Sequence, residues 1–192
     1  MKKLLFLPFV LILLIAVSAC SGDVNVGSGV SSSAATSNPT SSPAAKEAIH
    51  KQAKLNFSNT SAQQTTKIDS AEIKDVSDLN LADNQFDAIK YALLIHMSVS
   101  NSATQPAQTY PSQGHVVLDD GTQIDGLIGA DAGIDDAFKD GEVANGATKS
   151  GYVVFPLKED QARKFKKGAF KFDVTAGDEM VTQEHYSVAI NF

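Results

Sequence analysis

A chain of 192 residues carries 16 basic against 22 acidic side chains, a formal net charge of −6. That acidic balance, without any cluster of Lys and Arg, excludes nucleic acid and a peripheral grip on anionic lipid headgroups. Cys20 is the only cysteine, so no intramolecular disulfide can form and a folded core has to hold by packing alone.

The first predicted element is an export leader over residues 1–19. Lys2 and Lys3 make a positive start, residues 4–17 are almost wholly apolar, and Ser18 and Ala19 bring small side chains to the cut. The apolar run is shorter than the roughly 20 residues that span a bilayer, and it contains Pro8, which favours a cleaved signal over a permanent transmembrane helix. The junction Val17-Ser18-Ala19-Cys20 resembles the bacterial lipobox. That resemblance implies that the Cys20 thiol takes a diacylglycerol and becomes the mature N-terminus, the alternative being a free thiol in an uncleaved chain. Two acyl chains anchor stably, because each buried methylene adds about 0.8 kcal/mol and one chain holds only marginally. Loss of Lys2 and Lys3 leaves 14 basic against 22 acidic residues, a formal charge of −8.

Residues 20–62 read as a tether. Ser, Ala, Thr, Asn, Gly and Pro dominate, with a low-complexity centre at residues 31–43 that has too little apolar surface to order itself. A flexible segment of about 40 residues reaches roughly 35 Å, enough to hold a domain off the lipid. Residues 44–55 carry a faint helical pattern, but with so few apolar side chains they are assigned to the linker.

From about Gln63 the pattern turns to period two, the mark of half-buried strands. Residues 64–76 and 115–118 form two predicted strands. In a third, Tyr91, Leu93, Ile95, Met97 and Val99 face one way and Ala92, Leu94, His96 and Ser98 the other. Residues 127–138 are expected to hold a short helical or 3₁₀ turn. Residues 151–157 form a strand buried on both faces, and 158–166 a polar helical turn. Phe170, Phe172 and Val174, then Tyr186, Val188, Ile190 and Phe192, mark the last two strands. Turn signals fall at Asp120-Gly121, Asp140-Gly141, Asn145-Gly146 and Gly177-Asp178. About seven short strands without a sustained helical period predict an all-β domain over residues 63–192, an immunoglobulin-like antiparallel β-sandwich.

Three stretches support a family resemblance covering most of residues 63–192. They are the strand 91–99 followed by Ser100-Asn101, the run Val116-Val117-Leu118-Asp119-Asp120-Gly121-Thr122, and the run from Asn145-Gly146 through Gly151 to Phe155-Pro156-Leu157. The arrangement is similar to the telokin-like, immunoglobulin-like lipoproteins of Gram-positive bacteria, a domain of unknown function. Phe155-Pro156-Leu157 departs from it, since the family has an acidic or polar residue before the proline. The resemblance implies an extracellular binding or structural role and a Gram-positive plasma membrane, and it carries over no functional residue. From the residues alone, Gly146 serves a tight turn and Gly151 a bend or bulge.

Signals for chemistry are sparse. His50, His96, His115 and His185 have no second histidine or cysteine at metal-ligand spacing, and His96 and His185 are explained as outward strand residues. Asp119, Asp120, Asp125, Asp131, Asp135, Asp136, Asp140 and Glu142 concentrate carboxylates in a Gly-rich region, and such flexible oxygen-rich loops suit calcium. Against EF-hand spacing, Asp131, Asp135 and Glu142 take the first, fifth and twelfth places, but Gly133 holds a ligand place and Asp136 replaces the turn glycine. Asp131, Asp135, Asp136 and Glu142 remain the candidate metal ligands in a loop of other geometry, with a solvated loop as the alternative. Neither a nucleophile elbow nor a phosphate loop occurs. Tyr110, between Pro106 and Pro111, is the candidate exposed contact residue.

The sequence is therefore expected to be a non-enzymatic, cofactor-free binding module on the extracytoplasmic face of the cell membrane. Its partner is an envelope protein, a wall polymer or a host molecule. The alternatives are a calcium-dependent structural or adhesion module and a small hydrolase.

Overall fold

The computed structural model describes residues 47–61, 63–82, 87–130, 133–176 and 182–192. The leader, Cys20, most of the tether, Asp131 and the Gly177-Asp178 turn lie outside these residues.

Among the described residues, ten strands and one α-helix follow in chain order: β1 (Lys51–Ser61), β2 (Gln64–Asp75), β3 (Tyr91–Asn101), β4 (Ala107–Thr109), β5 (His115–Leu118), β6 (Gln123–Asp125), β7 (Gly141–Val143), β8 (Thr148–Leu157), α1 (Glu159–Lys164), β9 (Lys167–Ala176) and β10 (Thr182–Asn191). One sheet runs β1-β2-β3-β8. The other runs β6-β5-β9-β4-β7, with β10 along the remaining edge of β9. All pairings between these strands are antiparallel, and the expected all-β sandwich is the observed architecture.

Alternation fixes which face of each strand meets the core. Leu93, Ile95, Met97 and Val99 of β3 are fully buried, as are Phe155 of β8 and Phe170 of β9. Between the sheets the rings touch in sequence, from Phe155 to Phe170 at 5.3 Å, Phe170 to Phe172 at 4.5 Å, Phe172 to Tyr186 at 5.2 Å, and Tyr186 to Phe57 at 5.3 Å. On the face of β3 opposite Leu93 and Ile95, Ala92 and Leu94 join Val154, Val76, Leu81, Ile89, Leu127, Ala130 and Ala137 in a second buried cluster. Val76, Leu81 and Ile89 from one connection and Leu127, Ala130 and Ala137 from another cover it, because a sheet with apolar side chains on both faces needs cover on both.

The tether assigned to residues 20–62 stops short of that boundary. Residues 51–61 form β1, paired with β2 from Lys51↔Ile73 to Ser61↔Gln64. Leu55 is buried in the main core with Ala53 and Phe57 packed against it, and Ile49 just before the strand is buried there too, so a few apolar side chains hold an otherwise polar strand. Lys51 adds a polar clamp, its Nζ donating to the carbonyls of Arg163 and Phe165 at 2.7 Å each. Those carbonyls end α1, where a cation meets the negative end of the helix. Partial burial, and then the neighbouring Lys166, lower the Lys51 pKa.

The resemblance motifs occupy structural positions. Asn101, at the end of β3, is buried, and its amide donates to the carbonyls of Gln105 and Val143 while accepting from the Ala103 amide. Residues 116–122 run from β5 into its turn, and Gly151 sits within β8. A Cβ on Gly151 would lie 2.6 Å from the Asp136 carbonyl oxygen and 2.7 Å from the Phe138 nitrogen. Residues 136–138 bind the edge of β8 there, through Tyr152 N–H to Asp136 O at 2.8 Å and Phe138 N–H to Tyr152 O at 2.9 Å. Gly151→Ala is expected to cost about 3 kcal/mol, since it combines overpacking against backbone with an unfavourable positive φ. Chemical denaturation of the two proteins measures this directly.

Candidate functional site

The site follows from an interruption in one ladder. On a single edge of β9, β5 pairs with residues 168–171 and β4 pairs with Val174 and Thr175. Phe172 and Asp173 fall between the two, and there the chain lifts away as the 3₁₀ turn Pro111–Gln113. Gly114 lets it return: a Cβ at that position would stand 2.5 Å from the Lys171 carbonyl oxygen and 2.9 Å from the Phe172 Cβ.

A groove of about 280 Å³ remains, lined by Tyr110, Gln113, Gly114, His115, Lys171, Phe172, Asp173 and Thr175. Alternation on β9 sends Phe170, Phe172 and Val174 inward, leaving Lys171 and Asp173 exposed on the outer face and Thr175 partly so. Tyr110 stands at the groove with 41% of its surface exposed, its hydroxyl donating to Gln108 Oε1. The candidate contact residue is thus one of two large apolar or aromatic side chains exposed among the described residues, the other being Ile128. Next to the groove, His185 Nδ1 lies 2.6 Å from Asp173 Oδ1 across the β9–β10 pair. The surface offers a flat ring, a cation, an anion and hydrogen-bonding groups within one depression, suited to holding a polar chain rather than an apolar ligand.

A second depression, of about 210 Å³, brings Ser112, Ile128, Asp140 and Tyr152 together. The half-buried Asp140 carboxylate accepts hydrogen bonds from the amide and hydroxyl of Ser112, tying the Pro111–Gln113 turn to the approach of β7. Burial raises the Asp140 pKa, against the Ser112 bonds and Lys149, which lower it. The folded chain therefore holds this proton more tightly than the unfolded chain. The resulting stabilisation is complete below the ordinary value of 3.8 and is lost as pH rises through the higher folded value. Asparagine keeps one acceptor and adds a donor for the Ser112 hydroxyl. Asp140→Asn is expected to melt above the wild type near neutral pH, with the gap closing as pH falls toward 3.8, as thermal melts across that range would record.

The other candidate residues are dispersed. Asp135 and Asp136 are exposed in a turn beside β8, whereas Glu142 is exposed on β7 of the other sheet. Asp131 lies outside the described residues, among which no three His, Cys, Asp or Glu side chains converge to hold a metal ion. Three of the four histidines have carboxylate partners that sequence spacing did not reveal. His50 Nε2 meets Glu72 at 2.7 Å, His96 Nδ1 meets Asp69 at 2.8 Å, and His185 meets Asp173. Each pair joins neighbouring strands or their extensions, so only the register brings the partners together.

Several solved structures resemble this one. A functionally unknown protein from Listeria monocytogenes superposes with a TM-score of 0.51 at 12% identity, over 75% of this chain and 88% of its own. The yjhA protein of Bacillus subtilis gives 0.45 at 7% identity, over 70% and 98% respectively. A candidate lipoprotein of Bacillus subtilis, ycdA, gives 0.43 at 15% identity over 71% of this chain and 38% of its own. The fold is thus one that the Listeria protein shares. No protein-family profile and no curated protein matches the sequence. Among the described residues no helix is long and apolar enough to cross a membrane.

Proposed function

We propose that this chain is an extracytoplasmic lipoprotein, anchored to the cell membrane through acylated Cys20, whose sandwich binds a partner along the groove beside Tyr110. The reading places it among the telokin-like, immunoglobulin-like lipoproteins. The lipobox-like junction supports the anchor, and residues 21–46 between Cys20 and the described domain supply the spacer. The observation that carries the binding role is the break in the β9 ladder. It opens a groove lined by Lys171, Asp173, His115 and an exposed Tyr110 on a face that none of the described residues covers.

The partner is a polar polymer or polypeptide segment of the envelope or of a host surface. The ring contributes contact area, and the flanking charges and amides fix orientation. No cofactor enters this reading.

Two measurements test it. Cys20→Ala is expected to move the chain from the membrane fraction to the soluble fraction, and an unchanged membrane fraction would remove the anchor. A photo-crosslinking side chain at position 110 of the full chain, expressed in intact cells, is expected to give a defined adduct that the same side chain at Lys74, on the other sheet, does not give. Identical adducts from both positions, or none from either, would overturn the binding role of the groove.

A further inference from the structure

The outward face of the other sheet carries a row of three side chains that the binding role does not use. It begins with a bulge. Pairing between β2 and β3 shifts register between Ile68 and Ser70, so Asp69 is an extra residue that the regular ladder has no place for. Bulges re-aim side chains, and here the Asp69 carboxylate lies 2.8 and 3.0 Å, by its two oxygens, from His96 Nδ1. On its other side His96 Nε2 is 3.3 Å from Ser150 Oγ. The Tyr152 ring meets the imidazole edge-on at 5.0 Å and restrains its plane.

The proton positions follow from the chemistry of the three groups. An ionised carboxylate only accepts, so Nδ1 of the neutral imidazole carries the hydrogen and Nε2 is left as an acceptor facing the Ser150 hydroxyl. The single hydrogen of that hydroxyl has two acceptors within reach, Nε2 and the Met97 carbonyl oxygen at 3.2 Å, and rotation about the Cβ–Oγ bond brings it to Nε2. A nucleophile beside a base, with the base oriented by a third group, is the arrangement that activates serine. Ser150 is exposed, so a reacting carbonyl can reach it.

We propose that Ser150 is a nucleophile toward activated carboxylic esters, with His96 as its general base and Asp69 as the positioning residue. Ser150 Oγ bonds to the ester carbonyl carbon as its proton passes to His96 Nε2. The bond from that carbon to the leaving oxygen then breaks, and the departing alkoxide takes the proton from His96. The acyl group stays on Ser150 until a water, giving a proton to the same nitrogen, bonds through its oxygen to the carbonyl carbon; the bond from that carbon to Ser150 Oγ then breaks, Oγ takes the proton back from His96, and the acid leaves. The open face admits an ester carried on a large molecule. The expected gain is that of general-base assistance alone, about 10²- to 10⁴-fold, which suits esters with good leaving groups.

The test uses the full chain with a fluorophosphonate probe, read by intact mass and peptide mapping, beside turnover of p-nitrophenyl acetate. One adduct is expected on Ser150, absent from Ser150→Ala. His96→Ala, with a melting curve verifying its fold and His96→Gln as the alternative should it not fold, is expected to label about 100-fold more slowly, and added imidazole is expected to restore the rate. Asp69→Asn is expected to slow labelling without lowering the melting temperature. No adduct, an adduct on another residue, equal labelling of the histidine variants, or loss that imidazole does not restore would each overturn the proposal.

Discussion

The run of touching rings from Phe155 through Phe170, Phe172 and Tyr186 to Phe57 crosses from one sheet to the other and back again. Each such pair adds about 0.5–1.5 kcal/mol beyond the area it buries, but its larger effect is on register. Phe170 and Phe172 alternate with Lys171 and Asp173, so a slip of one residue in β9 would drive a lysine and an aspartate into the core. Because β9 cannot slip, β5 and β4 must meet it at fixed places, and the gap between them falls at Phe172 and Asp173. The groove beside Tyr110 is therefore a consequence of the core, with its charged floor being the reverse side of the aromatic stack.

The other sheet divides along its length. Near the start of β3 and the end of β8, Ala92, Leu94 and Val154 make the outward face apolar, and loops cover it. Farther along, His96, Ser150 and the bulged Asp69 make the same face polar, and there the sheet meets solvent. Residues 136–138 run along the edge of β8 at Gly151 and Tyr152, because only a glycine accepts backbone so close. The covered and uncovered parts of one sheet thus arise from a change in side-chain polarity midway along two strands.

Long strands were legible because burial of one face repeats every second residue. β3, β9 and β10 each carry three or more apolar side chains at that spacing, β8 showed instead as a continuous apolar run, and α1 was foreshadowed by a polar run between strands. Tyr110 was legible as an exposed ring because a tyrosine between two prolines in a polar loop has few apolar neighbours. β1 was not, since Lys51 and the Ser- and Asn-rich positions around Leu55 and Phe57 continue the composition of the preceding tether. β4, β6 and β7 are three residues each, too short for any period to show. The burial of the pair Ala92 and Leu94 was not legible, because the segments that cover them are distant in sequence.

By itself the sequence determined the all-β class, the inward faces of the long strands and the turns at Asp120-Gly121 and Asn145-Gly146, all of which depend on neighbours within a few residues. Only the tertiary structure decided where the sandwich begins, where β9 loses its partner, and which carboxylate each histidine meets. Asp69 and His96 are 27 residues apart and Ser150 a further 54 along, and no local pattern encodes a meeting that strand register and a single bulge bring about.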